Sequence, residues 1–122
     1  MGMRTGICGW SGCGKSTLSR QYTSVCHGDD YCDLGWSEAS QHLADLFDDP
    51  SYDCYEGCAL PRSLRKWCAQ HREGRPIDHL IVLTRPFRAQ TPGQVAQGKG
   101  HDTVLAEILP ELKRRGIRIE YR

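Results

Sequence analysis

The residues Gly9-Trp10-Ser11-Gly12-Cys13-Gly14-Lys15-Ser16, followed by Thr17, fit the pattern G-x-x-x-x-G-K-[ST]. No other stretch restricts the fold as strongly. A loop that wraps a polyphosphate in successive backbone N–H groups needs glycine where a Cβ would block the anion or where φ must be positive. It also needs a strand to launch it and a helix to end it, because the unpaired N–H groups of a helix start complete an anion site. Both neighbours are legible: residues 4–8 suit a short buried strand and Lys15 to Tyr22 a helix. In such a loop the Lys15 amine reaches the β- and γ-phosphates and the Ser16 hydroxyl ligates Mg²⁺. Gly9, Trp10, Ser11, Gly12, Cys13, Gly14, Lys15, Ser16 and Thr17 are therefore the expected nucleotide-binding residues, with Lys15 also catalytic. ATP or GTP and Mg²⁺ are the expected cofactors. Cys13 fills a variable position of the loop.

The remainder of the 122 residues alternates strand and helix signals. Residues 23–27 read as a second strand ending at Gly28-Asp29-Asp30-Tyr31. Ser37 suits the N-cap of a helix running to about Asp48, with Ala39, Leu43, Leu46 and Phe47 at helical spacing. A third strand follows over 52–55 and ends at Glu56-Gly57. Pro61 suits the first turn of a helix carrying Leu64, Trp67 and Cys68 on one side. His79-Leu80-Ile81-Val82-Leu83-Thr84 is the clearest strand, an aliphatic run suited to a sheet covered on both faces. Residues 85–100, rich in Gly, Pro and Gln, read as a mobile lid loop. Thr103 then caps a last helix, which Pro110 should kink and Gly116 should end, before a fifth, edge-like strand over 117–121. Such alternation predicts a single α/β domain over residues 1–122: three layers, with a five-stranded, mostly parallel sheet flanked by helices.

Composition removes several classes. Leu, Ile, Val and Phe make up only about a fifth of the chain, but a net charge of +1 is not that of a disordered polymer. The seven cysteines are odd in number and include no Cys-x2-Cys pair, which argues against a disulfide scaffold and against structural zinc. No apolar run approaches a membrane span and no signal-peptide core is present, so the expectation is a soluble cytoplasmic protein without a membrane partner. Charge is segregated. Residues 21–61 hold nine carboxylates and no Lys or Arg, whereas residues 62–122 hold thirteen basic and six acidic side chains. The pattern suits an acid–base and metal region facing a phosphate-binding one.

Strand ends sort the functions a P-loop permits. A kinase must hold an acceptor hydroxyl in line with the γ-phosphate and take its proton, and a carboxylate after the second strand suits that task. Asp29 is the expected base, with Asp30 its rival. Glu56, ending the third strand, is the expected metal-shell acid beside Ser16, with Asp53 its rival. No Asp-x-x-Gly follows the third strand and no Asn-Lys-x-Asp the fourth, which argues against a Ras-like switch.

Taken together, Gly9–Thr17, Gly28-Asp29-Asp30-Tyr31 and Tyr55-Glu56-Gly57 resemble the P-loop kinases of the uridine kinase and nicotinamide riboside kinase group. The likeness covers roughly residues 4–57, and the rest only in layout. It implies the P-loop NTPase fold and γ-phosphate transfer from Mg·NTP, ATP foremost, to a hydroxyl of a nucleoside-like acceptor. It implies Asp29 as acceptor-binding base, Ser16 and Glu56 in the magnesium shell, and an Arg-bearing lid after the fourth strand. Arg85 and Arg88 occupy that place and would screen charge on the moving phosphoryl group. The chain is shorter than those kinases and lacks the insertions that wall in a small nucleoside. In this it is similar to compact bacteriophage kinases that act on hydroxymethylated pyrimidines in DNA or on polynucleotide ends. A DNA acceptor, with Tyr31, Trp36, Tyr55 and Trp67 stacking a base and the basic stretch Arg62–Arg72 following the phosphates, is thus a second expectation. A regulatory ATPase or GTPase without an acceptor, and a nucleic-acid-binding protein, are the alternatives.

Overall fold

A computed structural model of the chain describes residues 3–10, 12–28, 35–84 and 89–122, apart from the side chains of Ser16 and Trp36. Its elements are β1 (Thr5–Gly9), α1 (Lys15–Ser19), β2 (Val25–His27), α2 (Trp36–Leu46), β3 (Cys54–Glu56), α3 (Leu60–Gln70), β4 (His79–Leu83), α4 (Pro92–Arg114) and β5 (Arg118–Tyr121). The five strands form one sheet in the order β2-β3-β1-β4-β5. Every pairing is parallel, so the sheet expected to be mostly parallel is wholly so.

That order determines the layers. From β1 the chain passes through α1 to the far edge at β2, and each later crossover steps back in the opposite direction. Right-handed crossovers then place α1 on one face and α2, α3 and α4 on the other. The contacts agree: α2 packs on α3 and α3 on α4, whereas α1 touches β1 and β3. Strand alternation supplies two cores. Cys8, Tyr55, Leu80 and Val82 meet Leu43, Phe47, Leu64, Leu105, Ile108 and Leu112 under the three long helices. Ile7, Cys54 and Ile81 meet Leu18 and Tyr22 on the α1 face. Because the connection from β1 runs toward β2 and that from its neighbour β3 runs the opposite way to β4, the carboxyl ends of β1 and β3 border a topological switch point, where open α/β sheets bind ligands.

The largest departure from expectation is α4. The segment expected to be loop over 85–100 is helix from Pro92 onward. Thr91 accepts from the Gln94 N–H at 3.2 Å and Gln94 accepts from the Thr91 N–H at 2.9 Å, a complete capping box, with Pro92 where a missing N–H costs nothing. Thr103, expected to be the cap, lies mid-helix and donates to the Lys99 carbonyl at 2.9 Å. Pro110 sits inside α4, which continues to Arg114. Gly116, at φ +82°, ends the helix as expected: Ile117 N–H reaches Leu112 O at 3.1 Å and Gly116 N–H reaches Lys113 O at 3.0 Å. Near the other end of the chain, α1 is shorter than predicted. Beyond Ser19 it tightens into successive i to i+3 turns that reach Tyr22.

Candidate functional site

β1 ends in Gly9, where a Cβ would lie 2.8 Å from the Leu83 carbonyl of β4. Only glycine lets the chain leave the sheet so close to its neighbour. Gly12 and Gly14 follow at φ +79° and +86°, the left-handed region, and Gly14 is the N-cap of α1. Lys15 is 6% exposed. Its Nζ donates to the carbonyls of Gly9 at 3.3 Å and Trp10 at 2.9 Å, so the ammonium lies inside the loop's curve. The Cys58 thiol also donates to Gly9 O at 3.2 Å, fastening the start of α3 to the loop. The Cys13 thiol is pushed above its ordinary range, by burial first, with the Trp10 backbone and Lys15 opposing. Burial therefore favours the protonated thiol, which is the poorer nucleophile.

Strand direction separates the two candidate metal acids. Asp53 precedes β3 and its carboxylate accepts from the N–H groups of Thr23 at 3.1 Å and Ser24 at 2.9 Å, joining the entries of β2 and β3. It therefore sits at the amino edge of the sheet, away from the glycine loop. Glu56 is at the carboxyl end, 1% exposed, in register with Ile7 of β1 and His27 of β2. His27 Nδ1–H donates to Glu56 Oε1 at 2.8 Å. Gly28 presses on the same strand end, where a Cβ would come 3.0 Å from the Glu56 carbonyl. Asp29 and Asp30 come next in the chain. They, Ser11, Tyr31, Arg85 and Arg88, and the side chains of Ser16 and Trp36, lie outside the described residues. Among the described residues no three His, Cys, Asp or Glu side chains converge as a zinc site would require. A hydroxyl and a buried carboxylate are instead the hard oxygen donors that suit Mg²⁺, which takes few protein ligands and keeps waters. Ser16 and Glu56 fit it in kind.

Two further residues that sequence reasoning missed, His101 and Asp102, join the loop. Trp10 Nε1–H is shared between Asp102 Oδ1 and Oδ2 at 3.1 and 3.0 Å, which ties the loop to α4. His101, 1% exposed, donates from Nδ1 to Asp102 Oδ1 at 2.9 Å. Burial holds the His101 pKa below its ordinary value; Asp102 works against that, while Lys15 and Arg62 add to it. Burial and the nearby ammonium thus disfavour a charged imidazole here. The signal for His101 and Asp102 is the i, i+3, i+4 spacing of residues 98, 101 and 102 on one face of α4, which a loop expected over 85–100 and a cap expected at Thr103 both hide.

Two proposed stacking residues are structural. Tyr55 is fully buried against Phe47, and Trp67 is buried and stacks on His71 with centroids 3.9 Å apart. In the basic stretch, Arg65 pairs with Glu107 at 2.9 Å and Lys66 donates to Ser37 O at 3.0 Å, binding α3 to its neighbours. No described helix is long and apolar enough to cross a membrane. The chain matches no model of a known protein family, and no curated protein matches it significantly.

Proposed function

We propose that the protein is a small P-loop kinase that moves the γ-phosphate of Mg·NTP to a hydroxyl of a nucleoside-like acceptor. One observation carries the reading: a buried lysine folded into a loop with two left-handed glycines, between the central parallel strand and a helix, at the sheet's switch point. In this reading the Lys15 ammonium leaves the carbonyls of Gly9 and Trp10 for the β- and γ-phosphates. Ser16 and Glu56 would hold Mg²⁺, which when bound neutralises charge on those phosphates. His27 keeps the Glu56 carboxylate oriented. Asp29 takes the proton of the acceptor hydroxyl as its oxygen bonds to the γ-phosphorus. The bond from that phosphorus to the β,γ-bridging oxygen breaks and the nucleoside diphosphate leaves. Arg85 or Arg88 screens the charge on the transferring group. The acceptor is a free nucleoside or nucleotide, or a hydroxymethylated pyrimidine or an end in DNA, and the site of action is the cytoplasm.

The test is transfer of labelled γ-phosphate, scored against nucleosides, nucleotides, and DNA with plain or hydroxymethylated bases. Lys15→Ala should abolish transfer with the fold intact. Asp29→Asn should spare nucleotide binding and lose transfer; a wild-type rate in that variant would show that Asp29 is not the base. NTP consumed at one rate with and without every acceptor would make the protein a regulatory ATPase.

A further inference from the structure

A cleft of about 400 Å³ opens beside the loop, between the carboxyl ends of β4 and β5 and the flank of α4. Its lining includes Trp10, Thr84, Asp102, Ala106, Leu109 and Tyr121. We infer that this cleft seats the purine base of the nucleotide, and that Asp102 selects a base bearing an exocyclic amine. The inference rests on the reading that residues 9–17 grip a triphosphate, and it adds the base to that site.

Position comes first. Trp10 belongs both to the loop and to the cleft wall, so a ligand anchored in the loop has the cleft next to it. The cleft lies on the β4–β5 side of β1, and Glu56 and the chain leading to Asp29 lie on the β3–β2 side. Base and acceptor therefore do not compete for space. The wall chemistry comes second. Mostly apolar walls with a few fixed polar groups characterise small-ligand sites, and this volume is within their range. Tyr121, 56% exposed, offers a ring at the rim.

Asp102 is the charged group of that wall, and its side chain is 58% exposed. Oδ1 accepts from both Trp10 and His101, while Oδ2 accepts only from Trp10 among the described residues. A carboxylate oxygen has two lone-pair sites, so Oδ2 can take one more donor. His101 reaches Oδ1 alone, and its burial disfavours a charged ring that would cancel the charge of Asp102. A carboxylate held by two donors in an apolar wall is a pre-set acceptor for an amine N–H. Adenine and guanine carry such an amine; uracil and thymine present carbonyl oxygens on either side of one N–H, which the carboxylate repels.

The experiment is calorimetric titration of the full chain, with Mg²⁺, by ATP, GTP, inosine triphosphate, purine riboside triphosphate and inorganic tripolyphosphate. The expected result is that ATP binds about tenfold more tightly than purine riboside triphosphate, or GTP about tenfold more tightly than inosine triphosphate. Asp102→Ala should erase that difference, each affinity being compared with that of tripolyphosphate for the same variant. Ala106→Phe, at an exposed position of the cleft wall, should fill the cleft and bring nucleotide affinity down toward that of tripolyphosphate. Equal affinity within both pairs, or nucleotide binding indifferent to Ala106→Phe, overturns the inference. Tripolyphosphate that fails to bind, with base discrimination intact and indifferent to Lys15→Ala, overturns the loop reading and leaves the cleft standing.

Discussion

Gly12 and Gly14 are required for their backbone angles, whereas Gly98 is required for the atom it lacks. A Cβ on Gly98 would come within 2.6 Å of three ring carbons of Trp10. Helix propensity alone favours Ala over Gly by about 1 kcal/mol in a helix interior. The clash should reverse that sign, so Gly98→Ala is expected to destabilise the protein by about 1–3 kcal/mol. In a Trp10→Ala background the ring is gone and the same change should become neutral or stabilising. A double-mutant cycle in urea checks this; additive effects would show that Trp10 and Gly98 do not constrain each other. From sequence, Gly98 and Gly100 look like loop glycines because a packing glycine and a turn glycine leave the same letter. The glycines of the 9–17 loop were legible because their spacing matches a pattern with a chemical task. Asp53 and Glu56 could be ranked only by their place along one strand, and the hydrogen bonds of Asp53 now explain why it sits apart.

Helix α4 escaped detection over its first eleven residues, ahead of the cap expected at Thr103, because Gly, Gln and Pro outweighed a capping box of two side chains. Strand β4 was legible because an uninterrupted aliphatic run has few other uses. The far end of α4 carries a contact that no pattern announces. Arg115, whose side chain is 4% exposed, donates from Nη2 to His71 O at 2.6 Å and from Nη1 to Gly74 O at 3.0 Å. It also pairs with Glu111 at 2.8 Å and lies over the Trp67 ring, 5.8 Å from its centroid. The guanidinium thus occupies the carbonyls just past the C-terminus of α3 and links them to α4. Arg115→Ala should cost about 2–3 kcal/mol, from unpaired carbonyls and lost packing on Trp67. Arg115→Lys should recover less than half, because an ammonium cannot span that fork. Chemical denaturation measures both; a loss below about 0.5 kcal/mol for the alanine variant would mean that water replaces the guanidinium freely.

Alternating signals announced a parallel sheet but not its order, because each connection could have stepped either way across the sheet. The observed order brings α4 back beside the glycine loop, and with it a buried histidine, so the stability of the entire protein becomes linked to protons. His101 faces Asp102 on its own helix, Lys15 from the loop and Arg62 from α3. Its folded pKa lies below the ordinary 6.5, with burial the largest cause. The unfolded chain therefore binds a proton here before the native one does. As pH falls through about 6.5 that extra proton favours unfolding, so the stability present above this pH is lost on acidification, down to the folded pKa. Thermal unfolding between about pH 7.5 and 5.5 should lose stability more steeply in the wild type than in His101→Gln. The difference should amount to at most one proton, since other histidines and exposed carboxylates contribute alike to both. Parallel curves would mean that His101 takes up its proton at the same pH in the folded and the unfolded chain. In that case a charged ring would offset Asp102 below about pH 6.5, and base selectivity at the cleft wall should weaken on acidification through that pH.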